Sequence, residues 1–167
     1  MTALFVLLVV YQLKHFLADY IFQGEYMLGK FKPGWTFVGP LLAHVAVHGA
    51  MTLLIAVTSV IFMGATDAYF VLTRALAIAG LDVIVHFFMD RIKAGPRYMG
   101  RWKALSANEF PNVMQELKCD VDEHAAKARK RLRDNVLFWW ALGFDQMVHH
   151  LTHYACILLI LLTAGVL

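Results

Sequence analysis

Apolar residues dominate this chain in runs of roughly 20 positions, the length a helix needs to cross about 30 Å of hydrocarbon. Four such runs lie at residues 2–22, 37–62, 68–91 and 136–162. They are broken less by charged turns than by single polar residues three or four positions apart. The first two are separated by GEYMLGKFKPGW, where Gly24, Gly29, Pro33 and Gly34 stop any helix. A short turn near residues 63–67 separates the second from the third, and the polar segment 93–135 separates the third from the fourth. The expected fold is all-α: a four-helix transmembrane bundle with one helical loop, forming a single membrane domain over residues 1–167. Within the loop, SANE at 106–109 has the form of a capping box, with Pro111 in the first turn of a helix running toward Arg133.

Composition agrees with that pattern. Of the 167 residues, 60% are hydrophobic and only 16% charged, more apolar side chain than a soluble globule of this size can bury. Most of the basic residues fall in segment 93–135, and Lys30 and Lys32 lie in the first loop. The positive-inside bias therefore puts both loops in the cytoplasm and both termini outside. The N-terminal MTALFVLLVVYQLKHF has neither the basic region nor the small-residue cleavage site of a signal peptide and is read as a retained span. The run KARKRLR at 127–133 suits anionic headgroups, which makes membrane lipid rather than nucleic acid the expected partner. Cys119 in a polar segment and Cys156 in an apolar one are not expected to pair. Gly80 and Gly143 are read as points of close helix packing, and Trp139 and Trp140 as interface residues.

Each span carries a polar stripe. Gln12, His15, Asp19 and Gln23 share one face of the first span, and His44 and His48 stand one turn apart in the second. In the third, Asp82, His86 and Asp90 recur every fourth position within LDVIVHFFMD. The fourth aligns Asp145, His149 and His153, with Gln146 and His150 alongside. Lys14 falls off the stripe of its helix.

Counted from the loop ends at about 1.5 Å per residue, the four stripes overlap at a depth of roughly 5 to 20 Å. A carboxylate in hydrocarbon costs at least about 2.5 to 3.5 kcal/mol, so these groups are expected to face inward and meet. Carboxylates and imidazoles are ligands of zinc, manganese and iron, and helix bundles build such centres from inward-facing side chains. The predicted ligands of divalent metal ions, zinc foremost with manganese or iron as alternatives, are His15, Asp19, His44, His48, Asp82, His86, Asp145 and His149. Asp90 and His153 are assigned catalytic roles, completing the shell or carrying protons. Gln12, Gln23, Gln146 and His150 are read as groups that orient the ligands.

HFLADYIFQ, the paired histidines of the second span, DVIVHFFMD followed by a basic residue, and DQMVHH together resemble the DUF3307 family of small bacterial and phage membrane proteins. The resemblance covers nearly all of the chain outside the long loop. It implies the four-span layout and the bacterial inner membrane, and nothing about chemistry. A looser likeness in ligand spacing is to membrane-bound metal-dependent hydrolases. The expected function is a membrane-embedded metallohydrolase with a multinuclear centre, acting on a lipid or lipid-linked phosphoester. A divalent cation or proton transporter is the alternative, although the apolar outer halves of the spans offer no polar path. HVAVH and HHLTH also resemble the histidine boxes of di-iron desaturases, a third reading that the many aspartates do not match. A homo-oligomer would supply any group that one subunit lacks.

Overall fold

A computed structural model describes residues 1–118 and 122–166; Cys119 lies outside them. Among the described residues there are five α-helices: α1 (Thr2–Phe16), α2 (Val38–Phe62), α3 (Ala68–Ala94), α4 (Glu109–Leu117) and α5 (Asp122–Thr163). Four are long and apolar enough to cross a membrane, α1 together with the turn that follows it, α2, α3 and α5. The chain is a multi-pass membrane protein of the layout expected from its sequence.

Helix boundaries follow local chemistry. Asp67 caps α3 by accepting from the Phe70 amide at 3.0 Å. The α2–α3 turn closes on Gly64, whose φ of 105° suits glycine. In the loop, Ser106 and Glu109 bond reciprocally: the Ser106 amide donates to Glu109 Oε2 at 2.9 Å, and the Glu109 amide donates to Ser106 Oγ at 3.3 Å. That exchange is a capping box, and it holds the Glu109 carboxyl below its ordinary pKa.

The fourth span is longer than its apolar run suggests. No glycine or proline falls between Asp122 and Leu142, so the basic run and the membrane segment form one uninterrupted 42-residue helix, about 63 Å long. Its basic part carries α4: Val113, Ala125 and Ala128 are buried there. Arg131 reaches Glu109 at 3.3 Å and Glu116 at 3.7 Å.

Around the bundle the order is α1, α2, α3, α5, with α2 and α5 also touching across the diagonal. Polarity is inverted relative to a soluble protein. Phe5, Leu54 and Phe88 are 69%, 64% and 62% exposed, whereas His44, His48, Asp82, His86, Asp145 and His153 are 0% exposed. Apolar side chains face out and charged ones face in, an arrangement that suits lipid surroundings. Half of the interior is different. Leu7, Tyr11, Val60, Ile78, Ile157 and Ile160 belong to an apolar core at the end of the bundle away from the long loops.

Where α2 meets α3, the close approach is made at Gly49. A Cβ there would collide with Val83 Cγ2. Gly80 and Gly143 play no such part, since a Cβ at either would meet nothing within 4 Å. The sequence shows glycines in the apolar helices but not which of them faces a neighbour. Gly49→Ala is expected to destabilise the protein by about 1–3 kcal/mol through overpacking, read as a lowered apparent melting temperature in detergent. Gly80→Ala should leave it unchanged.

Candidate metal centre

The last turn of α1 widens into a π-type turn, Leu17–Ile21, a local unwinding that recurs at functional sites. It carries Asp19 into the bundle. Asp19 Oδ2 lies 3.3 Å from His15 Nε2, and its Oδ1 lies 3.1 Å from His48 Nε2 and 3.4 Å from His44 Nε2. Three imidazoles from α1 and α2 therefore surround one carboxylate, whose side chain keeps 19% exposure.

Next to it, α3 and α5 contribute the rest. His44 Nε2 lies 2.9 Å from Asp90 Oδ2. His149 Nε2 stands between Asp145 Oδ1 at 3.2 Å and Asp90 Oδ1 at 3.5 Å. Deeper in the bundle, Asp82 Oδ1 is 3.1 Å from His86 Nδ1 and 3.9 Å from His153 Nε2. The imidazole rings join these groups: His48 and His86 are 4.0 Å apart between centroids, and His86 and His149 are stacked at 4.1 Å. All eight predicted ligands, with Asp90 and His153, thus lie in one continuous buried network drawn from four helices.

Lys14 belongs to that network, contrary to its expected position off the stripe. It is one residue from His15, about 100° around the helix, and its long stem reaches back across the bundle. Nζ donates to Asp82 Oδ2 at 2.7 Å and lies 3.1 Å from His48 Nδ1. Lys30 from the first loop and Lys93 from the last turn of α3 do the same, donating to Asp90 Oδ2 at 2.9 Å and Asp145 Oδ2 at 2.6 Å. Lys30 is accordingly buried and is not a free charge of the first loop. In all three pairs the lysine takes Oδ2, and Oδ1 is turned toward histidine.

Sequence reasoning missed these lysines. A lysine in the middle of an apolar span was itself a signal, because such a charge needs a partner in the interior. For Lys30 and Lys93, flanking Gly and loop residues disguised them as surface charge. Of the predicted orienting groups, Gln146 bonds His15 Nε2 at 3.2 Å and Asp145 Oδ2 at 3.0 Å, and Gln12 bonds His150 Nδ1 at 3.2 Å. Gln23 makes no side-chain hydrogen bond among the described residues.

The polar stripes that carried the expected family are now placed together, and one family accounts for the whole span of them: that described as "Protein of unknown function (DUF3307)" matches residues 4–166. The chain belongs to DUF3307. Neither a curated protein nor a solved structure matches it, so the hydrolase likeness rests on ligand spacing alone.

Among the described residues of this DUF3307 protein, four sets of side chains could hold a metal ion: His15, His48 and His86; Asp19, His44 and His48; Asp82, His86 and His153; Asp90, Asp145 and His149. Within each set the ligand atoms lie within 4.8 Å of one another. Nitrogen and oxygen ligands at about 2.0–2.2 Å from one ion lie up to about 4.4 Å apart, so separations of this order suit a shared ion. The donor chemistry fits. Asp82 Oδ1, His86 Nε2, Asp145 Oδ1 and both ring nitrogens of His153 are buried without a hydrogen-bond partner, a costly condition that a cation relieves. His86 also bonds the Asp82 carbonyl through Nδ1 at 3.0 Å, the orienting contact that ligating imidazoles usually have. His48 differs: its two ring nitrogens are engaged by Lys14 and Asp19, so it can take an ion only by giving up one of them.

Proposed function

We propose that this protein is a membrane-embedded metal-dependent hydrolase, with a divalent ion, zinc foremost, held at Asp19 by the surrounding imidazoles. One observation carries the placement. Of the four aspartates in this network, Asp82, Asp90 and Asp145 already have a lysine on Oδ2, whereas Asp19 contacts only histidines. With neutral histidines, four carboxylates against three ammonium groups leave one negative charge. A single divalent ion turns this to one positive charge; two ions would give three, which a dry core opposes. The charge count favours one ion per chain over the multinuclear centre expected from ligand number.

Bound there, such an ion supplies a water of lowered pKa and neutralises charge on a phosphoryl or acyl oxygen. The chain's own part is positioning. Lys14, Lys30 and Lys93 hold three carboxylates from behind, and Asp90, joined to the Asp19 set through His44, with His149 and Asp145 beyond it, would accept and pass on a proton. Access supports a substrate reaching the site from the loop end. A recess of about 190 Å³ there is lined by residues including Phe31, Lys93, Trp102, Lys103 and Phe138, and Lys93 among them contacts Asp145. A substrate that is part of the lipid leaflet, or linked to it, fits a recess in this position. By the positive-inside bias that leaflet is the cytoplasmic one of a bacterial inner membrane.

Transport of cations or protons is the second reading, favoured by the buried Lys–Asp pairs. Against it stands the apolar core of Leu7, Val60, Ile78, Ile157 and Ile160, which closes the other half of the bundle to ions. Elemental analysis of detergent-purified protein tests the proposal. About one equivalent of zinc or manganese per chain is expected, iron would favour the di-iron desaturase reading instead, and absence of stoichiometric metal would remove both. Cation uptake into liposomes containing the protein would favour transport instead.

A further inference from the structure

A second cleft at the loop end lies apart from the metal centre. It measures about 460 Å³ and is lined by Pro33, Gly34, Trp35 and Phe37 of the first loop and Arg91, Pro96, Arg97 and Tyr98 at the exit from α3. Two cations stand in it. The Arg91 guanidinium stacks 3.5 Å over the Phe37 ring and its Nη1 donates to the Lys32 carbonyl at 3.4 Å. Those contacts hold the fork in place without neutralising it. Every lysine and arginine ion pair among the described residues is made elsewhere, so neither Arg91 nor Arg97 has a carboxylate partner.

The walls are stiff. Pro33 and Pro96 fix two backbone angles, and Thr36 Oγ1 closes the Pro33 turn by donating to its carbonyl at 3.0 Å. The Tyr98 amide donates to the Gly95 carbonyl at 2.9 Å. A Cβ at Gly95 would meet Arg91 O at 2.7 Å and the Tyr98 ring at 2.8 Å, so only glycine lets the chain turn this tightly beside the arginine.

We infer that this cleft binds the phosphate headgroup of an anionic membrane phospholipid. Guanidinium groups match phosphate oxygens in a fork, and aromatic side chains such as Trp35 and Tyr98 favour the boundary between headgroups and acyl chains. Position selects a lipid over a free phosphate. From the cleft, exposed Phe88 and Ile84 descend α3 one turn at a time, an apolar strip on the outside of the bundle along which acyl chains can lie. The inference does not depend on the metal centre.

Purified full-length protein in micelles doped with phosphatidylglycerol or phosphatidylcholine, examined by native mass spectrometry, tests it. One retained phosphatidylglycerol per chain is expected, and retention should fall about 30-fold in Arg91→Gln/Arg97→Gln, the loss of two basic residues facing anionic lipid. A control, Arg74→Gln near the start of α3, should keep it. Equal retention of both lipids, unchanged retention in the double variant, or displacement by millimolar inorganic phosphate alone would overturn the assignment. Should the double variant fail to fold, exposed Arg97, which makes no side-chain hydrogen bond or ion pair among the described residues, can be changed alone; wild-type retention by Arg97→Gln would then reject the site.

Discussion

Asp19→Asn is expected to lose bound metal almost completely while the protein stays folded. The substitution keeps the shape of the side chain and removes the only carboxylate in the centre that lacks a lysine. An amide can still meet one of His15, His44 and His48, but it supplies no charge to hold a cation in a dry interior. Metal affinity should fall by more than the ~10–100-fold that changes to orienting groups cost. Gln146→Ala, which removes one hydrogen bond to His15, should stay within that smaller range. Metal content after dialysis against graded chelator distinguishes the two. Because Asp19 is partly exposed and has no ammonium partner, its neutralisation should cost little stability. Wild-type metal content in Asp19→Asn, with loss in Asp145→Asn instead, would move the ion to the set formed by Asp90, Asp145 and His149.

Much of this centre was legible in the sequence because a helix repeats its face every three or four residues. Spacing alone put Asp82, His86 and Asp90 on one stripe, and likewise Asp145, His149 and His153. The cost of burying charge in lipid then forced the stripes together. What periodicity cannot carry is reach. Lys14 is on the wrong angle for the stripe, yet its four-carbon stem spans the gap to Asp82. Lys30 and Lys93 sit in segments whose composition resembles surface loop, and only three-dimensional folding reveals that they turn inward. The widened turn at Leu17–Ile21 was equally hidden, since LADYI has no residue that demands it. Continuity of α5 could have been read from the lack of any breaker before Gly143, but the change from basic to apolar composition at about residue 135 suggested two elements. Helix neighbours are set by side-chain fit, which is why Gly49, rather than Gly80 or Gly143, proved to be the contact.

Lys14→Met should make the stability of the protein depend on metal. In the wild-type chain the Lys14 ammonium neutralises Asp82 from 2.7 Å in surroundings where both side chains are at most 1% exposed. Methionine fills similar volume without charge, and leaves the carboxylate with the Thr52 hydroxyl as hydrogen-bond donor and the His86 ring beside it. Removing one partner of a buried ion pair costs about 3–5 kcal/mol. The net charge of the centre then becomes two negative instead of one, which strengthens its attraction for a divalent ion. A ligand at 100 times its Kd stabilises the state that binds it by about 2.7 kcal/mol. The tighter binding of the variant should raise that gain and recover most of the loss. Thermal unfolding of both proteins, stripped by chelator and then titrated with zinc, reads out the difference. The stripped variant should melt well below wild type, and the zinc-dependent rise should be larger in the variant. If the stripped variant melts with wild type, Lys14 does not balance Asp82. If zinc lifts both equally, the ion and the lysine do not share one electrostatic site, and the charge count that places a single ion in the bundle fails with it.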